Sequence, residues 1–171
     1  MKEFGAYDAM IADYNESRSL VVLPLSSWEF YGEHIAFLSD CKEDIAALKK
    51  ITRKWDFDED YKKELIMEKS VLVITNMDLK IVYASRNIEE MSGYSSDEVI
   101  GNSPKMFQGV NTSTESSSII RNAVHKKMPF EVSILNYRKD NSTYICNIKG
   151  FPVKDRKGKV VNYIAFEQIA A

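Results

Sequence analysis

The hydrophobic positions of this chain change period near Ser70. Before it they recur in helical steps. Phe4, Tyr7, Ile11 and Tyr14 make one stripe. After Pro24, the residues Trp28, Tyr31, Ile35, Leu38, Cys41, Ile45, Leu48 and Trp55 make a second, in steps of three, four or seven. Ser26 and Glu29 have the form of a capping box that would start this helix, which the stripe carries for about seven turns. Gly32 weakens it locally, by about 1 kcal/mol against alanine. The acidic run Asp56–Asp60 predicts a break and a new N-terminus, with a short helix over Tyr61–Glu68.

After Ser70 the pattern is that of strands. Val71–Thr75 and Lys80–Ala84 are rich in β-branched residues and flank the turn-forming Asn76-Met77-Asp78, which predicts a hairpin. Short helical pieces punctuated by Gly93, Gly101 and Pro104 fill residues 86–108. Thr114–Lys127 runs from a Ser/Thr-rich start to a basic end, as a helix dipole favours. Phe130–Arg138 and Thr143–Val153 predict a second hairpin, and Val160–Ile169 a last strand after the Lys154–Gly158 turn. Short hairpin loops imply antiparallel pairing, so the fold class is α+β: a five-stranded antiparallel sheet with short helices on one face. The boundary with a helical N-terminal extension falls at 68/69, giving an extension over 1–68 and a sheet domain over 69–171.

Composition refines this picture in two ways. The net charge is only -2, but residues 1–68 hold 15 acidic against 9 basic side chains, and residues 69–171 hold 10 against 14. The halves are thus -6 and +4, which excludes a global field directed at nucleic acid and leaves two differently charged surfaces. Two widely spaced cysteines, Cys41 and Cys146, make neither a disulfide framework nor a metal motif. The start of the chain has early acids and no apolar core, and no run is long enough to span a bilayer. A cytoplasmic protein with no membrane partner and no nucleic-acid partner is expected. No phosphate loop, nucleophile elbow or paired metal motif is present, so catalysis is not expected.

The stretch 69–170 resembles a PAS domain. The resemblance is carried by VLVITNMDLKIVYASRNIEEMSGYSSDEVIG, by SPKMFQG, by the Phe130-Glu131-Val132 entry, and by LNYRKDNSTYICNIKGFPVKDRKGKVVNYIAFEQ. Within that family it looks closest to the light-oxygen-voltage (LOV) type, which binds flavin. That type has an Asn-Cys-Arg-Phe-Leu-Gln segment where this chain has Ser103-Pro104-Lys105-Met106-Phe107-Gln108. Pro104 takes the place of the adduct-forming cysteine. Ser103 stands for the asparagine, Lys105 for the arginine, and Gln108 is retained. The resemblance matches two further flavin-contacting asparagines to Asn136 and Asn147, and the glutamine of the last strand to Glu167. It implies a sensory signalling module with flavin (FMN or FAD) as the cofactor to test, and Lys105 as a phosphate contact.

Strand alternation makes its own statement about these residues. A turn centred between Asp140 and Asn141 pairs position 136 with 145 and places Asn136 on the same face as Asn147, with Phe130, Val132 and Ile134. Cys146 then points to the opposite face with Leu135, Tyr137, Tyr144, Ile148, Ile164 and Phe166. A sheet apolar on both faces needs two covers. The N-terminal helices, a second copy forming a homodimer, or a signalling protein partner could supply the outer one. The two asparagines could hold a ligand or bond to backbone and to each other. The rival function is therefore a ligand-free interaction and dimerisation adaptor. His34 and Cys41 share a helix face but lack further metal ligands, and His125, at a helix end, reads as a surface residue rather than a haem ligand.

Overall fold

The computed structural model describes residues 41–170, which lie within one compact unit, Leu38–Ala171. The Phe4–Tyr14 stripe, the Ser26 cap and His34 fall outside the described residues. Helix α1 covers residues 41–51 and ends in a 3-10 turn, Thr52–Lys54. Then follow β1 (Trp55–Asp56), α2 (Tyr61–Ile66), β2 (Val71–Thr75), β3 (Ile81–Ala84), α3 (Ile88–Ser92) and α4 (Ser96–Val99). A second 3-10 turn (Pro104–Phe107) precedes α5 (Thr114–Lys126), β4 (Phe130–Tyr137), β5 (Thr143–Asp155) and β6 (Val160–Ile169).

All strand pairs are antiparallel. The order runs β3-β2-β6-β5, and β5 then pairs with β4 along Thr143–Gly150 and with β1 at Lys154 and Asp155. The five predicted strands are present, and the two-residue β1 is an addition. Trp55 therefore starts a strand and does not end the long helix. Its ring packs edge-on against Phe57, and its indole N–H donates to Asn162 Oδ1 at 3.2 Å. The sevenfold spacing from Leu48 carried no information here, because the 3-10 turn had already broken the period.

The three hairpins are built alike. In each, one residue bonds both strands across a three-residue loop whose last member has a positive φ: Leu79 (56°), Asn141 (67°) and Gly158 (78°). An Asn or Asp carboxamide or carboxylate fixes each loop by accepting from backbone amides: Asn76, Asp140 and Asp155. This is the type I turn followed by a left-handed residue that forms a bulge. The loop is odd in length, so the β4–β5 register pairs Asn136 with Tyr144, not with position 145.

That single step reverses the faces of β5, since successive side chains alternate. Tyr144, Cys146 and Ile148 point inward, with Ile134 and Asn136 of β4. Asn147 and Lys149 point outward and are exposed. The inner face is covered by α3, α4 and the Pro104 turn, which contribute Ile88, Met91, Val99 and Phe107 to one apolar core with Val71, Val73, Ile81 and Ile134. The ring of Phe130 lies across Gly150, where a Cβ would sit 2.2 Å from its Cζ, so only glycine fits there.

The outer face of β2, β3 and β6 is also buried: Leu72, Ile74, Tyr83, Ile164 and Phe166. Part of its cover is α1. Asp44 of α1 is buried, accepts from Tyr83 Oη at 2.7 Å and from Arg86 N at 3.2 Å, and Arg86 also pairs with Glu43. An edge-to-face aromatic chain, Trp55–Phe57–Phe151–Phe166, continues over the sheet. The outer strands β4 and β3 are bonded in part. Thr112 Oγ1 and Ser116 Oγ donate to the Leu135 and Ser133 carbonyls on β4, and Ile81 of β3 exchanges backbone bonds with Gly101 and Asn102.

Candidate functional site

Four polar side chains converge on the inner face at the junction of β4, β5 and β6. Asn136 is 4% exposed, Tyr144 6%, Cys146 0% and Glu167 5%. Register explains the convergence: Asn136 is opposite Tyr144, Ile134 opposite Cys146, and Ile148 opposite Glu167. The thiol of Cys146 donates to Glu167 Oε2 at 3.6 Å. Tyr144 Oη has no hydrogen-bond partner among the described residues. The Asn136 amide lies close enough to ease the ionisation of Tyr144 slightly, without the alignment of a full bond. On its other side the Tyr144 ring carries the Arg138 guanidinium, 4.6 Å from the centroid.

Burial sets the electrostatics. It pushes the Glu167 carboxyl up to about 7, against only a modest opposing effect from the Cys146 thiol. It also raises Cys146 and Tyr144, each further disfavoured as an anion by the neighbouring charges of the cluster, so both stay protonated. Below neutrality the cluster is thus uncharged, and near neutrality Glu167 stands close to its midpoint while Tyr144 and Cys146 stay neutral. It offers hydrogen-bond donors from Tyr144 and a protonated Glu167, and both donors and an acceptor from the Asn136 amide.

The structure brings together only part of the set expected from sequence. Asn136 and Glu167 both lie on the inner face, opposite Tyr144 and Ile148 of β5 respectively. Asn147 does not: it is exposed on the outer face and accepts from Ser133 Oγ at 2.6 Å. The reason is the odd hairpin loop. The same shift brings Cys146 inward, where the even-loop reading had sent it outward, and adds Tyr144, which that reading assigned to the opposite face. The signal for both was present in Asn141, a residue type that tolerates a positive φ and so permits the three-residue loop. Ser103 is the N-cap of the Pro104–Phe107 turn, accepting from Lys105 N at 3.5 Å. Lys105 is exposed, and Gln108 is half-buried at the end of that turn. Lys149 faces away from Glu167 and cannot neutralise it. His125 is exposed at the end of α5. Among the described residues no group of His, Cys, Asp and Glu could hold a metal ion, and no helix is long and apolar enough to cross a membrane.

An antiparallel sheet curled over short helices, with a buried polar cluster on its concave side, defines a PAS fold. The chain belongs to that family: the PAS-domain family matches residues 68–168. Its relatives narrow the type to LOV. The chain is 41% identical over 88 residues to Protein TWIN LOV 1 of Arabidopsis thaliana, covering 51% of this chain and 22% of that protein. It is 36% identical over 93 residues to Phototropin-2 of Oryza sativa subsp. japonica, covering 54% of this chain and 10% of that protein. The chain therefore spans less than a quarter of either relative. Among solved structures, the dark structure of the blue-light photoreceptor Aureochrome1 LOV aligns with a TM-score of 0.61 and 34% identity, covering 68% of this chain and 86% of that one. The domain is thus a PAS domain similar to the LOV domains of these photoreceptors.

Proposed function

We propose that this module holds a flavin (FMN or FAD) non-covalently against the inner sheet face, with Asn136, Tyr144 and Glu167 reading the polar edge of the ring. The observation that carries this is the unspent hydrogen-bonding capacity of the cluster. A solid, ligand-free core would leave Tyr144 Oη unpaired and Glu167 bonded only to a thiol. Each unsatisfied buried polar group costs about 1–3 kcal/mol. A flat heterocycle with carbonyl and ring-nitrogen positions along one edge satisfies donors and acceptors of this kind, and apolar walls suit its faces.

When bound, the flavin supplies blue-light absorption and electron acceptance. The chain's own residues orient it. Asn136 presents its amide from β4, and Glu167 presents its carboxyl from β6. Gln108, half-buried at the end of the Pro104 turn, would serve as a further ring contact, and exposed Lys105 on that turn would take a phosphate tail. Ser103 keeps that turn in place. Pro104 has no thiol, so no covalent bond forms from that position. Output runs through the sheet: on β6, Glu167 faces inward and its neighbour Phe166 outward. A change at the ring then reaches the outer face, where α1 or a second copy of the chain responds. In this reading residues 1–68 act as the output extension of a homodimer or meet a signalling partner.

The test is the absorption spectrum of the purified protein, followed by titration of FMN and FAD into refolded protein. Structured blue absorption, lost in Asn136→Ala and kept in Asn147→Ala, supports the reading. Refolded protein that binds neither flavin would overturn it in favour of the ligand-free adaptor.

A further inference from the structure

We infer that the turn end of this domain docks on a negatively charged membrane surface. This inference is independent of any ligand on the inner face. The register places three connections at one end of the sheet: the β2–β3 turn, the β5–β6 turn and the α5–β4 link. Thr75 is opposite Tyr163, Pro152 is opposite Tyr163, and Phe130 is opposite Gly150. Tyr163 Oη donates to Val124 O at 2.9 Å and ties the end of α5 to the same place. These connections carry Lys80, Lys126, Lys127, Arg156, Lys157 and Lys159, all exposed. None is in an ion pair among the described residues. The acids on the same connections are Asp78 and Asp155, and the Asp155 carboxylate is engaged by the amides of its own turn; just behind them, exposed Asp56 of β1 is opposite exposed Lys154, and exposed Glu131 is opposite exposed Lys149. A chain of net charge -2 thus sets six cations against two anions on these connections, with the opposed charges Lys154/Asp56 and Lys149/Glu131 behind them adding no net charge.

Three features favour a lipid surface over a folded acidic partner or nucleic acid. The cations sit, exposed, in or beside short turns and a helix end. Five of the six are lysines, compact point charges suited to a diffuse negative surface and not to bidentate reading. Two tips also carry half-exposed apolar side chains, Met77 (45% exposed) and Met128 (55%), and no aromatic platform for bases is interleaved with them.

Lys127 offers a clean test position. It caps α5 with φ 54°, a left-handed conformation that glycine adopts more easily, and Met128 N closes the cap on Ala123 O at 2.9 Å. The backbone there would accept glycine, so Lys127→Gly removes the charge without straining the fold.

The test is co-sedimentation of the full chain with phosphatidylcholine vesicles, with and without phosphatidylglycerol, at low and high salt. Binding is expected only to the anionic vesicles, and it should fall at high salt. Each cation near such a surface is worth about fivefold in affinity, so Lys157→Glu with Lys159→Glu should weaken binding by at least about 25-fold. Lys127→Gly separates folding from binding: it should leave or raise thermal stability and still weaken vesicle binding. The inference is overturned by equal binding to neutral vesicles, or by no binding to anionic ones at low salt. It is also overturned if Lys127→Gly binds as well as the parent, or if soluble polyglutamate is bound and vesicles are not.

Discussion

Replacing Glu167 by glutamine tests the electrostatics of the inner face without changing its shape. The carboxyl ordinarily titrates near 4.5, and burial lifts it to about 7 in the fold. Between those values the folded protein keeps a proton that the unfolded chain has released. Stability therefore falls as pH rises through that window and levels off above it. The gap corresponds to roughly 3 kcal/mol of stability that is present at the acid end and absent above neutrality. Glutamine carries no such linkage. Urea unfolding of ligand-free protein across this range should give a falling curve for the parent and a flatter one for Glu167→Gln. The variant should be the more stable well above pH 7, and the two should converge toward pH 4.5. Parallel curves would refute the assignment, because they would mean that Glu167 titrates alike in the folded and unfolded chains.

Four further substitutions, one of them a rescue, probe the framework. Tyr83→Phe removes one donor, at 2.7 Å, to the buried Asp44 carboxylate, so urea unfolding should show a loss of about 1–3 kcal/mol. Gly150→Ala forces a Cβ into the Phe130 ring and should cost about 1–3 kcal/mol; Phe130→Ala in the same chain should recover part of the stability lost to that overlap. Leu79→Asn relieves a bulky residue held at φ 56° and should raise the thermal midpoint, by a free energy of up to about 1 kcal/mol.

Much of the fold was legible because local and global signals agreed. β-branched runs gave β2 and β3, and the Asp60 cap, accepting from Lys62 N and Lys63 N, marked α2 as the acidic run predicted. The last strand falls on Val160–Ile169 as the pattern had it. The candidate site was legible only in part, because it depends on parity. Composition locates the turn around Asp140, but whether two or three residues form it decides the face of every residue on β5. The Asn136–Asn147 pairing assumed an even loop. A left-handed Asn141 makes it odd, which moves Asn147 to the surface and brings Tyr144 and Cys146 inside. The end of α1 was missed for a different reason. A sevenfold spacing between apolar residues is satisfied as well by a helix followed by a turn and a strand.

The bonded edges of the sheet limit how this domain can associate. With the Ser133 and Leu135 carbonyls taken by Ser116 and Thr112, and Ile81 paired to the Gly101–Asn102 backbone, those edge positions offer no free ladder to an incoming strand. Growth of the sheet by strand addition, the common route to domain-swapped and fibrillar species, is therefore obstructed there. Assembly is left to side-chain surfaces, which can form and release reversibly as a sensor requires.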